Sequence, residues 1–482
     1  MFASQFLHRR RLPFLAATFL LCLTASVRGD DATHAESKDV VIKGDQGETL
    51  QTFCLGPAGR IFALLAKPVQ YGAERQSLST GGGEVRVFDA DGKQLLKWTI
   101  DFAPQRIAAA PSGDIVVGGS GQIARFSADG KLLVTNESPH LASVLGDKDA
   151  LRKAAEAQHR SSIESYTEQL KQFEEQTKEL EAALKKQETK VQKETEKRKS
   201  EAKLDKNASD EKEAKPAGEM KKATISSFSV FSLFTVGTTT ETTVDSDGAP
   251  FGKGSQQQLE MIRRTADAYR HMLDNEKKRT VEDVMTEITA RLQKIHGIAV
   301  GKNDVFVATA VAKGYGYAVW RMTADFKDAK QIVTGLSGCC GQIDVQCRDD
   351  KLFVAENSRH RVVCYDREGK RVDAWGKRDR DGEGGGFGGC CNPMNLCFLE
   401  DGEVVTSESE GLVKRFSPSG EFLGLIGKAK VSGGCKNVAV AASPDGKRIY
   451  FYDLQGSKII ILSQRETAKP NTTAANTGSG EE

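Results

Sequence analysis

Ten cysteines punctuate this 482-residue chain, and five of them recur as two doublets and a singlet: Cys339-Cys340, Cys390-Cys391 and Cys435. Thiolates bind soft metal ions, hold iron–sulfur clusters and exchange with disulfides. The doubling is informative, because one small residue would satisfy packing and adjacent cysteines can close only a strained, labile ring. Three chemistries compete for these positions: structural disulfides, a thiolate site for a soft metal or an iron–sulfur cluster, and a redox-active vicinal pair. The spacing is not the C-x2-C of zinc modules. Cys347 and Cys397 form a second matched pair, Cys54 falls at the place equivalent to Cys397, and Cys364 reads as a small apolar core residue.

The cysteines match because the segments around them repeat. Val85-Arg86-Val87-Phe88 precedes an Asp-Gly turn, as do Ile123-Ala124-Arg125-Phe126 and, with small changes, Val362-Val363-Cys364-Tyr365 and Val413-Lys414-Arg415-Phe416. Short alternating runs joined by Asp-Gly or Ser-Gly are hairpins. Units of four strands recurring at about 45 residues are the signature of propeller blades. First strands begin near Leu50, Phe102, Ile295, Cys340, Cys391 and Cys435, which predicts an all-β, six-bladed β-propeller. The first strand of a blade is innermost, so the five thiols should gather at one mouth of the central channel, with Cys347, Cys397 and Cys54 toward its other end. The last copy has three strands, and Asp39-Val40-Val41-Ile42-Lys43 is the segment expected to supply the fourth and remove the exposed edges.

Two stretches carry a family likeness. KLFVAENSRHRV at 351–362 and EGGGFGGCCNP at 383–393 resemble the NHL repeat, over about 90 residues of the fourth and fifth copies. The resemblance implies a propeller of the kind found in protein-interaction modules, lyases and lactonase-like enzymes, a range that leaves function open. The lactonase-like members use a carboxylate and Asn cage around a divalent ion, for which Glu356, Asn357 and Asn395 are the suggestive residues. His296 opens the third copy and is a further candidate ligand, with a hydrogen-bonded turn histidine as the alternative. The Gly-rich stretch 379–389 lacks the following helix and Lys of a phosphate cradle and reads as a flexible inter-blade loop. Neither G-x-S-x-G nor HExxH occurs.

Residues 146–292 break the repeat. Ile163, Tyr166, Leu170, Phe173, Thr177, Leu180, Leu184, Gln187 and Val191 alternate spacings of three and four, an a/d seam with Glu, Lys and Gln elsewhere. A second helical stretch over 256–294 carries Leu259, Ile262, Ala266, Tyr269 and Leu273, then Val281, Val284, Ile288 and Leu292. The pattern predicts an antiparallel coiled-coil hairpin that contacts a partner protein or a second copy. The β-prone, largely uncharged run 227–236 should dock on the propeller or a partner, or form a hairpin at the tip of the insertion. The insertion falls in the same class of inter-blade connection as the thiols.

At the other end, His8-Arg9-Arg10-Arg11 precedes an apolar run over 12–25, and Val27-Arg28-Gly29 offers a cleavage site. This is the grammar of a secretory signal, and the run is shorter than the roughly 20 residues a spanning helix needs. The expectation is an exported protein, secreted or periplasmic, with no transmembrane segment after cleavage. Removing 1–29 leaves 64 basic residues against 66 acidic. That balance provides no positive field for a phosphate backbone and excludes a strongly basic nucleic-acid binder. The expected layout is a signal at 1–29, closing strand and two blades over 39–145, the insertion over 146–292, four blades over 293–465, and a disordered tail over 466–482. With blades well formed and no complete catalytic constellation, the reading is a binding or scaffold protein whose cysteine-lined mouth is the functional face. The alternative is a metal-dependent or redox enzyme acting at that mouth.

Overall fold

The computed structural model describes residues 32–67, 81–138, 140–206, 252–311, 314–379, 384–431 and 438–466. The expected signal, the run 227–236 and Cys435 lie outside them, as does the expected tail beyond residue 466. The chain divides into two compact units, Met1–Leu151 with Met285–Glu482, and Arg152–Val284.

The first unit is mostly β and contains six four-stranded antiparallel sheets, a propeller-like fold. Strand β1 (His34–Val41) opens the chain. The next sheet holds β2 (Thr49–Leu55), β3 (Ile61–Ala66), β4 (Gly83–Phe88) and β5 (Gln94–Ile100), followed by β6 (Arg106–Ala109), β7 (Ile115–Gly119), β8 (Gln122–Phe126) and β9 (Leu132–Glu137). After the helices come β10 (Ile295–Val300), β11 (Asp304–Ala310), β12 (Tyr317–Thr323) and β13 (Lys330–Leu336). The fourth set is β14 (Asp344–Arg348), β15 (Lys351–Glu356), β16 (Arg361–Tyr365) and β17 (Arg371–Trp375). The fifth is β18 (Asn395–Phe398), β19 (Val404–Ser407), β20 (Leu412–Phe416) and β21 (Phe422–Lys428). The last, β22 (Val440–Ala442), β23 (Arg448–Asp453) and β24 (Lys458–Gln464), is completed by β1, which pairs antiparallel with β24. That strand begins at His34, ahead of the segment 39–43, because the backbone groups of residues 34–38 also find partners along β24.

The first strands touch in the order β2, β6, β10, β14, β18, β22, and β22 touches β2 again, so the ring of inner strands closes. One contact recurs between neighbouring sheets. In three third-to-fourth-strand turns the Gly lies against a fourth-strand side chain of the preceding sheet: a Cβ added at Gly130 would stand 2.7 Å from Trp98, and one at Gly420 would stand 2.1 Å from Trp375. Gly92 meets Val40 of β1 in the same way, at 2.7 Å, so the junction across the chain ends is built like the others. Val40 and Ile42 join Leu50, Ile61, Tyr450 and Ile459 in one buried cluster across that junction. Each such side chain contributes roughly 1.5–3 kcal/mol when fully buried.

The helices are α1 (His140–Leu145), α2 (Lys148–Lys206), α3 (Gly252–Lys278) and α4 (Val281–Gln293). Within the second unit α2 and α3 run antiparallel. Glu174 pairs with Arg270 and Glu181 with Arg263, while Tyr269 packs between Tyr166 and Phe173. Beyond Leu184 the α2 side chains through 201 are exposed, Val191 among them, so the far end of the expected seam is not covered by α3. The second helical stretch is broken at Arg279-Thr280. There Thr280 and Asp283 form a reciprocal capping box, Thr280 N–H donating to Asp283 Oδ2 at 2.8 Å and Asp283 N–H to Thr280 Oγ1 at 3.1 Å. Among the described residues no helix is long and apolar enough to cross a membrane.

Candidate functional site

Both cysteine doublets sit in the loops entering first strands, and each loop is held by a carboxylate that ends or follows a second strand. In the fourth sheet Glu356, fully buried, accepts the Ser337 N–H at 2.9 Å and pairs with Arg359 and Arg361. Asn357 Oδ1 then accepts the Cys339 N–H at 2.8 Å. In the fifth sheet Glu408 accepts the Gly388 N–H at 3.0 Å and pairs with buried Lys414, which donates to Gly386 O at 2.7 Å. Asn392 completes that loop, donating to Gly388 O and Glu410 and accepting the Ser409 N–H. The Gly-rich stretch is thus anchored over its described part, 384–389, by a buried ion pair. It departs from the flexible loop expected, because an interior charge needs partners and this one takes them from the loop backbone.

These two frames bring the thiols together. Cys340 Sγ lies 3.5 Å from Cys339 Sγ and 3.8 Å from Cys391 Sγ, and the three sulfurs all lie within 4.8 Å of one another. Cys390 Sγ is 3.1 Å from Cys391 Sγ. Cys391 is buried, Cys340 exposed and Cys339 between them. No disulfide joins two described cysteines. Cys391 lowers the pKa of the Cys339 thiol, but burial and Cys340 outweigh it and the net shift is upward. Thiolates about 2.3 Å from a tetrahedral zinc stand about 3.8 Å from one another, so the observed separations suit one bound ion.

Below the thiols, the first strands of all six sheets line a cavity of about 230 Å³. Cys54, Cys347 and Cys397 face it. Burial pushes all three thiols up, Cys347 to about 12, which keeps them protonated. Arg106 and Asp344, at the starts of β6 and β14, share that cavity. Burial raises the Asp344 carboxyl to about 6, against a hydrogen bond from the Leu396 N–H and the field of Arg106. His296 is buried, with Nδ1 at 3.0 Å from Gly341 O and its ring edge-on to Tyr317. Burial, then the charges of Lys294 and Arg106, hold its imidazole well below its ordinary value.

No protein-family model matches the sequence, and no curated protein does. Among solved structures the chain is similar to a gluconolactonase of Xanthomonas campestris, with 11% identity, 89% of this chain and 99% of that one covered, and a TM-score of 0.33. A likeness of that size carries nothing about activity.

The lactonase-like cage does not assemble. Glu356 is committed to its two arginines and Asn357 to the Cys339 loop, while Asn395 lines the central cavity and accepts the Val438 N–H. Cys364 is buried between sheets, an ordinary core position. Sequence reasoning missed Arg106, Asp344, Lys294 and the Glu408–Lys414 pair. For Arg106 a signal existed: like Asn395 it is a polar residue at the start of an otherwise apolar strand, and Asp344 holds the same first position in β14.

Proposed function

We propose that this chain is an exported six-bladed β-propeller of NHL type, with a helical coiled-coil hairpin inserted between its second and third blades. It acts as a binding protein whose channel mouth holds a soft metal ion on Cys339, Cys340 and Cys391. Six four-stranded sheets with touching inner strands support the blade count, and the basic-then-apolar start of the sequence supports export. One observation carries the metal reading: three sulfurs from two neighbouring sheets converge within 4.8 Å. That spacing brackets one ion, whereas a [4Fe–4S] cluster sets a separate iron at each thiolate and needs wider separations. Zinc and copper(I) are the ions such sulfur-rich sites select. The helical arm supplies a long polar surface for a partner protein or a second copy.

Metal analysis of anaerobically purified protein, combined with thiol counting before and after reduction, tests the site. About one equivalent of zinc or copper is expected, lost in the C340S/C391S variant. Metal-free protein whose mouth cysteines are all in disulfides resistant to mild reductant overturns the reading and leaves a braced scaffold. For the arm, pull-down with and without residues 146–292 decides: retention of every partner by the shortened chain removes that role.

A further inference from the structure

We infer that the central cavity binds a small zwitterion, an α-amino acid with an apolar side chain, whose ammonium meets Asp344 and whose carboxylate meets Arg106. Among the described residues that line the cavity these two alone carry charge, one of each sign. Each lies in the other's field, yet among the described residues no hydrogen bond or ion pair joins them. Arg106 spends three donors on neutral acceptors: His296 O at 2.7 Å, Gln105 O at 2.8 Å and Gln342 Oε1 at 3.1 Å. Asp344 Oδ2 accepts the Leu396 N–H at 2.9 Å, and Gln346 Nε2 lies 3.5 Å from both carboxylate oxygens. A guanidinium has five N–H donors and an ionised carboxylate about four acceptor sites, so both keep capacity for a ligand.

The first strands lie start beside start. Arg106 Nε reaches His296 O at the start of β10, the Leu396 N–H reaches Asp344, and the Val438 N–H reaches Asn395 Oδ1 at 3.2 Å. At the far end Gly301, just past β10, faces Cys347, where an added Cβ would stand 3.0 Å from Sγ. The cavity therefore has two unlike ends. Arg106, Asp344 and Asn395 hold the end at the mouth, while Leu55, Ala109, Val300 and Phe398, each the last residue of its strand, line the other. An α-amino acid has the same layout, two opposite charges at one end and an apolar group at the other. A simple ion would answer one wall charge and leave the cavity with a net charge, which an enclosed site penalises. An apolar guest would strip both charges of water and return nothing. A zwitterion gives each a charge-assisted hydrogen bond. Size agrees: about 230 Å³ holds on the order of eight waters at ~30 Å³ each, the space of a small amino acid. With its carboxyl titrating at about 6, Asp344 is mostly ionised at neutral pH and can receive an ammonium. The site does not depend on the metal reading, since neither charged group is a thiol.

The test is calorimetric titration of the full chain at neutral pH and low salt with L-alanine, L-valine and L-leucine. Saturable binding of at least one is expected. The tightest is then compared with its two one-charge analogues, the acid that lacks the ammonium and the amine that lacks the carboxylate. Each should bind more weakly by about tenfold or more, the scale of a hydrogen bond to a charged group. In Asp344→Asn the preference for the amino acid over the acid analogue should vanish, and in Arg106→Gln the preference over the amine analogue. A merely structural role would weaken all three ligands alike. The C340S/C391S variant should retain binding, which separates this site from the thiol centre. Should R106Q fail to fold, the analogues and D344N decide. Absence of saturable binding by all three amino acids, one-charge analogues that bind as tightly as the amino acid, or an unchanged preference in D344N overturns the proposal.

Discussion

Lys414 Nζ and Glu408 Oε1 stand 2.5 Å apart, and both side chains are closed off from solvent. The pair also grips the loop ahead of Cys390-Cys391, through Gly386 O and the Gly388 N–H. Lys414→Met leaves Glu408 as an uncompensated buried carboxylate and should destabilise the chain by about 3–5 kcal/mol. The double variant E408Q/K414M should recover part of that loss. Urea unfolding measures both, and faster alkylation of Cys391 in K414M would report the loosened loop. Equal stability of K414M and the parent would refute a clamping role.

Ring closure rests on residues that come from opposite ends of the chain. Ile42 is buried in the cluster that contains Tyr450 and Ile459, and its N–H donates to Ser457 O at 2.9 Å. Ile42→Ala should cost about 2–5 kcal/mol, and deletion of residues 32–43 should lower the melting temperature sharply. A deletion variant that melts with the parent would show that β1 does not hold the last sheet.

Asp344 gives stability a pH dependence of known sign. Its carboxyl titrates at about 6 in the folded chain, against an ordinary value of 3.8. Between those values the folded state binds the proton more tightly than the unfolded state, so this group's contribution falls as pH rises from about 4 to about 6. The total is on the order of 3 kcal/mol, and it stays lost above that range. Asp344→Asn keeps an acceptor for the Leu396 N–H and removes the titration. The stability difference between D344N and the parent should therefore grow in favour of D344N from pH 4 to pH 7. A difference that is flat across that range would contradict the burial of this carboxyl.

Thr280 starts α4 after a break in the helical stretch. Thr280→Ala removes the acceptor for the Asp283 N–H and should cost about 1 kcal/mol. Hydrogen exchange at the first turn of α4 should rise in T280A while exchange in β10 stays unchanged. Uniform protection in both would mean that the cap is idle. The sequence contained this signal, Thr-Val-Glu-Asp, inside what the heptad spacing presents as one continuous helix.

Local chemistry made most of the fold legible. Strand alternation, Asp-Gly turns and the recurrence of first strands are properties of a few consecutive residues, and they sufficed to place six sheets of four strands. The same repetition placed both cysteine doublets at equivalent loop positions, where the structure has them. The extent of β1 was not legible from its own residues, since none of His34, Ala35 and Glu36 is strongly β-prone and they pair because β24 offers an open edge.

The sequence by itself determined which residues repeat, which turns join them and where the thiols stand in each repeat. It could not determine that Cys340 and Cys391, 51 positions apart, place their sulfurs 3.8 Å from each other. Nor could it show that Arg106, Lys294 and His296 share one electrostatic field at the channel mouth. Those relationships arise when the ring of first strands closes, because closure turns equivalent positions in separate repeats into neighbours around one axis. Burial then decides the chemistry of what meets there. The same closure leaves Asp344 reluctant to ionise, holds the His296 imidazole well below its ordinary value and gives Arg106 neutral hydrogen-bond acceptors.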